Sequence, residues 1–558
     1  MLTIYDTKAK QVVDVSPYPR DPFTSLAGTS KNAYRFNWNS PIAFSPQDGH
    51  IAYFGGNVVF RTADRGRHWT AISPDLTRNE KEHQQVSGGP ISLDVSGAES
   101  YDTILDIAPS PLAAGTMWVG TDDGLIQITR DAGTTWHNVT PAGIPKYGRI
   151  ETVEPGHFAA GTAFANVDRH DLGDKAPYLF MTEDFGATWK SIAANLPANA
   201  PVRTIRQDLK NPDVLYAGTE TGVWVSFDRG GAWSHLQLNL PTTPVYDLRV
   251  HPVANDLIVA THGRGLFILD DLAPIQQLAK ARAAGTYLFP VRASTLFAQW
   301  PPIETGDGGA LPNNYFVGKN PPNGATISFY QRTKAANRPT VEIVDAQNRV
   351  VRHYAGSYDT DEGPKFYLTN VPGINRFAWN GMEDGPEKWH GTTRPNRGPD
   401  DGPEALPGRY IARIHIDGKT LEQPFTLAPD PQSPWTLTQL GERHAFLTRL
   451  TKEYSQIDAA LNRIDAERRS LVGKPNSATR IEQLATMKAM LTSDARNDED
   501  SIGRPNQIRE RIAGLMGTLG ASFQPPLQAH IDSAAELNSL FGTTMATVQQ
   551  TLTAVATR

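Results

Sequence analysis

Two aspartates lie on alternating apolar segments that read as strands, Asp102 just before Ile104-Leu-Asp-Ile-Ala and Asp247 within Val245-Tyr-Asp-Leu-Arg-Val. Glycoside hydrolysis needs such a pair, one carboxyl protonated as acid and the other acting as base or nucleophile on the opposite side of the bond. Asp102 and Asp247 belong to different segments, as two flanking groups must. Arg149, Arg203, Arg206 and Arg249 fall beside similar segments, together with Asp106 and Glu151, and these four arginines with His262 and Arg264 are the expected ligand-binding residues. Three arginines around a substrate carboxylate would suit a sialidase, which also wants a tyrosine nucleophile, but no spacing marks out such a triad. His262 and Arg264, between glycines, are placed to line a cleft, and turn punctuation accounts for them about as well. The run Asp168-Arg-His170-Asp171-Leu-Gly-Asp174 has metal-ligand types, yet reads more simply as a solvated loop, and no metal is expected. For the whole polar set, the plain alternative is a wet channel held by internal ion pairs.

Much other chemistry is excluded. The chain of 558 residues has no cysteine, so disulfides, thiolate nucleophiles and cysteine-ligated zinc are absent. It has no phosphate-binding loop, dinucleotide glycine fingerprint, serine nucleophile elbow or His-Glu-x-x-His zinc motif, and no cofactor is expected. A net charge of −6 without a long Lys/Arg block argues against nucleic acid as a partner. No apolar run reaches the roughly 18 residues of a membrane helix. Met1-Leu-Thr-Ile-Tyr-Asp6 lacks the basic and apolar parts of an export signal.

The elements that must position these residues repeat. Thr62-x-Asp64-x-Gly66-x-x-Trp69 recurs at Thr129/Asp131/Gly133/Trp136, Thr182/Asp184/Gly186/Trp189 and Ser226/Asp228/Gly230/Trp233. A hydroxyl and an aspartate two residues on accept backbone N–H bonds across a tight hairpin, glycine supplies positive φ, and tryptophan covers the turn. The four aspartates are therefore expected to be structural. Alternating segments upstream, such as Met117-Trp-Val-Gly and Val214-Leu-Tyr-Ala-Gly, complete a four-stranded blade. A fifth unit, Val245 to Asp270, has the first strands but ends without the motif. Residues 1–280 are thus expected to form a β-propeller of about five blades, with the chemistry at the mouth of its axis.

The repeats resemble the BNR or Asp-box motif, Ser-x-Asp-x-Gly-x-Thr-Trp, with Thr135 and Thr188 at its threonine position and His68 and Ala232 departing from it. Asn37-Trp38, Ser73-Pro-Asp-Leu-Thr77 and Thr261-His-Gly-Arg264 extend the resemblance to bacterial exported proteins of the sortilin-type "glycosyl hydrolase" group. That resemblance implies an extracytoplasmic (periplasmic or secreted) protein and a glycan, peptide or protein ligand. It also implies earlier blades, so the opening hairpin Leu2–Tyr5 and Gln11–Val15 is either the remnant of one or the completion of the fifth.

Residues 285–430 read as a β-sandwich, with a hairpin at Thr340–Asp345 and Val350–Tyr354 and another from Gly408 to Leu427. Gly373-x-Asn-x-Phe-x-Trp379-Asn-Gly381 followed by Pro407-Gly-x-Tyr410 resembles the immunoglobulin-like domain of flagellar hook-capping proteins, implying an accessory role. Residues 434–558 turn helical: Leu450, Tyr454, Ile457, Leu461, Ile464 and Leu471 keep a 4-3 spacing, and further stripes run from Ile481, Ile508 and Leu527, the last to Val555. They predict a small α-helical bundle. The expected whole is a mainly β protein: Asp-box β-propeller, Ig-like β-sandwich and C-terminal bundle. Its function is capture of a ligand on the propeller face or, alternatively, glycoside hydrolysis at the axis.

Overall fold

The computed structural model describes residues 2–18, 33–88, 91–94, 100–297, 324–354, 368–391, 399–493, 503–520 and 523–553. The chain divides into two compact units, Met1–Gln276 and Gln277–Arg558.

In the first unit a hairpin, β1 (Thr3–Asp6) and β2 (Gln11–Asp14), precedes a run of antiparallel sheets. The first sheet is β3 (Ile42–Phe44), β4 (Ala52–Gly55), β5 (Val59–Thr62) and β6 (Thr70–Ala71). After a small ribbon, β7 (Ser87–Gly88) with β8 (Leu93–Asp94), comes the second sheet, β9 (Ile104–Pro109), β10 (Met117–Thr121), β11 (Ile126–Thr129) and β12 (His137–Asn138). The third is β13 (Arg149–Pro155), β14 (Ala163–Arg169), β15 (Asp174–Thr182) and β16 (Lys190–Ser191). The fourth is β17 (Val202–Gln207), β18 (Leu215–Thr219), β19 (Gly222–Ser226) and β20 (Ser234–His235). The last has three strands, β21 (Val245–Val250), β22 (Leu257–Thr261) and β23 (Leu266–Leu269), and leads into the short α1 (Ala273–Gln276).

Each sheet is an up-and-down meander in sequence order, the blade of a β-propeller. Second strands such as β10 and β18 are buried along their whole length, since both faces are covered. Apolar clusters lie between successive blades: Trp118, Ile126 and Ile128 pack with Ile150, Val153 and Ala165.

The four repeated hairpins latch one blade to the next. In all four, the Ser or Thr oxygen accepts the N–H of the glycine four residues on, at 2.8 to 3.0 Å. The indole N–H then donates across the gap to the preceding blade: Trp136 to Ile72 O at 3.0 Å, Trp189 to Val139 O at 2.8 Å and Trp233 to Ile192 O at 2.8 Å. Glycine is required there; at Gly186, with φ of 86°, an added Cβ would stand 2.7 Å from Val139 Cβ. The receiving residues also hold a fixed place in their own blades. Ile72, Val139 and Ile192 donate N–H to the carbonyl thirteen residues earlier, on Val59, Ile126 and Leu179.

The opening hairpin obeys the same rule. Val15 N–H bonds Leu2 O thirteen residues earlier, and Val15 O accepts Trp69 Nε1 at 2.7 Å. The hairpin therefore stands as the outer half of a blade set before β3, and forms its own sheet rather than joining β21–β23.

The second unit opens with α2 (Leu278–Ala284), β24 (Thr286–Leu288) and β25 (Ser294–Leu296). It continues through β26 (Ala325–Gln331), β27 (Thr340–Asp345), β28 (Val350–Tyr354) and β29 (Gly373–Trp379). A ribbon, β30 (Met382–Asp384) with β31 (Asp401–Glu404), and a long hairpin, β32 (Gly408–Ile416) with β33 (Lys419–Pro429), complete the strands. A sheet ordered β24-β26-β29 and one ordered β25-β33-β32-β27-β28 share a core around Trp379, Phe329, Tyr410 and Phe425. Helices α3 (Leu437–Leu471), α4 (Ala478–Leu491), α5 (Ile508–Gly520) and α6 (Gln528–Thr553) follow. Val555 and residues 392–398 of the Gly/Pro/Asp loop lie outside the described residues.

The stripe Leu450, Tyr454, Ile457, Leu461 and Ile464 is buried against α4, α5 and α6. Trp389, from the segment after β30, joins that helical core, its N–H donating to Asp458 at 3.1 Å and its indole to Asp465 at 2.7 Å. Strands and helices thus form one unit.

Candidate functional site

In several blades the turn after the second strand is hydrogen bonded to the segment that leads into the first. Asp122 N bonds Thr103 O at 2.9 Å, Glu220 N bonds Pro201 O at 3.2 Å and His262 N bonds Pro244 O at 2.9 Å. These bonds gather the side chains of both segments at one end of the blades, where loops free of the sheet can carry function.

Blades four and five contribute an arginine and an aromatic pair. Arg203, on β17 and buried, donates Nη1 to Asp168 at 2.5 Å and both Nε and Nη2 to Glu220, at 3.1 and 2.9 Å. Its guanidinium lies 4.9 Å from the centre of the Tyr246 ring, which is 45% exposed and packs at 5.0 Å on His262. Asp168 also holds His170 at 2.6 Å, His170 reaches Asp171 at 3.0 Å, and Asp171 accepts from Arg149 at 2.6 Å. Arg149, Arg203 and His262 are thus brought into one network, with Arg264 exposed in the turn of His262. Beside it, burial raises the pKa of Glu151.

Blade two adds a cluster of carboxylates. Asp102, in the left-handed region at φ of 59°, accepts Gln84 Nε2 on Oδ2 at 2.6 Å, while its buried Oδ1 has no hydrogen-bond donor among the described residues. Asp123 accepts the Thr121 hydroxyl and the Arg78 N–H, both at 2.5 Å. Asp122 accepts Thr103 N at 2.8 Å and Thr103 Oγ1 at 2.6 Å. Burial pushes Asp122 and Asp123 each up to about 7, with the neighbouring carboxylates adding to it.

A third group lies on the inner strands. Arg206 donates to Asp247 at 2.6 Å and approaches Glu154 at 3.6 Å, and Arg249 holds the other oxygen of Asp247 at 3.1 Å. Asp106 accepts Val153 N–H at 2.7 Å; burial lifts it to about 6 although Arg206 and Arg249 pull the other way.

The two aspartates expected to act together are kept in different surroundings. Asp102 sits with Gln84 and Asp123, Asp247 with Arg206 and Arg249, and among the described residues they share no hydrogen-bond partner. The repeat aspartates lie in the outer hairpins. Asp64 is held down to about 2 by the His68 N–H and ring, and Asp131 to about 2 by the Thr135 hydroxyl and N–H; Asp184 is lowered the same way by Thr188. Asp228 accepts Ala232 N–H at 2.8 Å. Tyr246, Glu220 and the Asp122-Asp123 turn were not singled out by sequence reasoning. Two adjacent acids directly after the strand Met117–Thr121 were the available signal for the last. Among the described residues no cluster of three acidic or histidine ligands could hold a metal ion, and no helix is long and apolar enough to cross a membrane.

No protein family matches the chain, and no curated protein matches it. Solved structures do. The GH74 xyloglucanase of Xanthomonas campestris is 14% identical, over 70% of this chain and 80% of its own, with a TM-score of 0.31. YCF48 bound to a D1 peptide is 13% identical, over 43% of this chain and 79% of its own, with a TM-score of 0.21. PorZ, a surface component of the type-IX secretion system of Porphyromonas gingivalis, is 13% identical, over 71% of this chain and 59% of its own, with a TM-score of 0.23.

Proposed function

We propose that the chain is an extracytoplasmic binding module of the Asp-box kind, five blades followed by an Ig-like sandwich (285–430) and a helical bundle (434–558), that captures a glycan, peptide or protein on the face around Tyr246. The observation that carries this reading is the support of that ring. Arg203 is fixed by two carboxylates and lies against Tyr246, and His262 packs beside it, so an exposed aromatic surface is held rigidly among hydrogen-bonding groups. Such a platform stacks against a sugar ring or a planar side chain, with the charged rim giving orientation. Arg149, Arg203, His262 and Arg264 are its ligand-binding residues; of the other two arginines expected to bind ligand, Arg206 and Arg249 both bond Asp247 and would act through it.

A glycan and peptide panel measured by calorimetry against the wild type and Tyr246→Ala tests it. The expected result is a ligand whose affinity falls at least about tenfold in the variant. Unchanged affinity for every ligand found would refute it.

The raised pKa of Asp106, which shares the influence of Arg206 and Arg249 with Asp247, favours glycoside hydrolysis as the second reading, because a general acid must hold its proton near neutral pH. Turnover of aryl glycosides or polysaccharides that disappears in Asp106→Asn or Asp247→Asn would support it over binding alone; Asp102→Asn tests the pair expected from sequence.

A further inference from the structure

Among the described residues the fifth blade lacks the strand and the tryptophan that finish the four before it, and no described strand takes their place. Leu266 pairs with Ala260 in the second strand, as Val59 pairs with Gly55, Ile126 with Gly120 and Val223 with Gly218. Counting on from it, Leu269 stands where the motif has its hydroxyl, Ala273 where it has glycine and Gln276 where it has tryptophan. A leucine cannot close the hairpin, and the chain leaves as α1. Gln276 points elsewhere, its amide donating to Asp208 at 2.9 Å and Asn255 at 2.8 Å.

Both halves of the missing contact remain. Trp233 fills a slot made by Leu179, Ile192 and Leu196. One blade on, the same positions are Val223, Leu236 and Leu240, and together with Leu257, Phe267 and Leu269 they line a cleft. The carbonyl of Leu236 corresponds to those of Val15, Ile72, Val139 and Ile192, and among the described residues no tryptophan donates to it. The edge beside the cleft is equally unfilled, since no described strand pairs with the outer side of β23. Thr261 N bonds Gly265 O, so by the alternation of an antiparallel ladder Phe267 and Leu269 bond β22 while the main-chain groups of Leu266 and Ile268 face outward. Their apolar side chains are 73% and 61% exposed, and Leu238 at the rim is 69% exposed.

We propose that this edge and slot bind an extended segment of another polypeptide carrying Trp-x-x-Ile/Val/Leu, added antiparallel to β23 as the fourth strand of the blade, with its indole in the slot and its N–H on Leu236 O. The occupant follows from the row of blade-to-blade contacts that the slot continues. Every filled copy reads that way: Trp69-Thr-Ala-Ile72, Trp136-His-Asn-Val139, Trp189-Lys-Ser-Ile192 and Trp233-Ser-His-Leu236. Main-chain pairing gives such a complex its affinity and the indole its selectivity. The surface is separate from the Tyr246 face and does not depend on it.

A fluorescein-labelled peptide with the sequence of residues 187–193, Ala-Thr-Trp-Lys-Ser-Ile-Ala, titrated onto the full chain by anisotropy, tests the proposal. The expected result is saturation below ~1 mM, at least about tenfold weaker binding when alanine replaces its tryptophan, and slowed amide exchange at Leu266 and Ile268. Ile268→Pro removes an outward N–H that β22 does not use, so it should abolish binding and leave the fold intact. Equal affinity of the two peptides, no saturation below ~1 mM, or full binding by the proline variant would overturn the proposal. A concentration-dependent dimer that Ile268→Pro abolishes, without peptide binding, would assign the edge to a second copy and overturn it also.

Discussion

Trp233 gives the sharpest test of how the blades hold together, because its two contributions separate by substitution. The side chain is 3% exposed, packs with Leu179, Ile192 and Leu196, and donates Nε1 to Ile192 O at 2.8 Å. Phenylalanine keeps most of the apolar contact and loses the hydrogen bond, leaving a carbonyl with no donor; that costs about 1–2 kcal/mol. Alanine also leaves a cavity the size of an indole, and the cost rises to about 3–5 kcal/mol. Amide exchange is the assay, since it reads the strands of blades three and four apart from the helices. The opening free energy of β15 and β19 should fall by the smaller amount in Trp233→Phe and the larger in Trp233→Ala, with α3 unchanged. Equal effects of the two substitutions, or a loss spread evenly into α3, would refute the idea that the indole acts as a local latch.

Two further outcomes follow from buried charge. Asp122 is raised from 3.8 to about 7, so the folded blade prefers the protonated acid; the stability it contributes is complete below the ordinary carboxylate range and is lost as pH rises through 7, by at most on the order of 4 kcal/mol. Asp122→Asn should flatten that fall in a pH series of urea unfolding, and an unchanged slope would count against the assignment. Arg509 and Asp458 meet at 2.5 Å with side chains 1% and 0% exposed, so Asp458→Ala alone should cost about 3–5 kcal/mol by helical circular dichroism. The double change Asp458→Leu with Arg509→Met should recover most of it, because no uncompensated charge is left.

What could be read from sequence was what local chemistry fixes. Thr62, Asp64, Gly66 and Trp69 make one hairpin by themselves, so their spacing is visible wherever the hairpin recurs. The hairpin at Leu2–Val15 only receives the latch, with Tyr5, Thr7, Ala9 and Val12 at the motif's positions, and the thirteen-residue hydrogen-bond spacing alone reveals it. The stripe of α3 was legible because one face repeats, whereas Trp389 joins that core from a distant loop that no periodicity marks. The site was legible as residue types and not as pairs. Arg203 could be placed beside an inner strand, but which carboxylates it meets depends on Asp168 and Glu220 being brought over by different blades. Asp102 and Asp247 satisfied the same sequence criterion and ended with different neighbours.

The latches all point one way. Each indole reaches back to the blade before it and none reaches forward, so a blade's outer strand is clasped by its successor. The array accordingly has a polarity that a symmetric stack of sheets would lack. Disturbing one of these hairpins loosens the blade upstream of it first, and the guard stops at the third blade, because among the described residues no tryptophan of the fifth reaches back to Leu236 of the fourth. Under nearest-neighbour energetics of this kind, fraying starts at the blade with no successor. The sheet β21–β23, which closes on no tryptophan among the described residues, is that blade, and in a pulling experiment it is expected to part first.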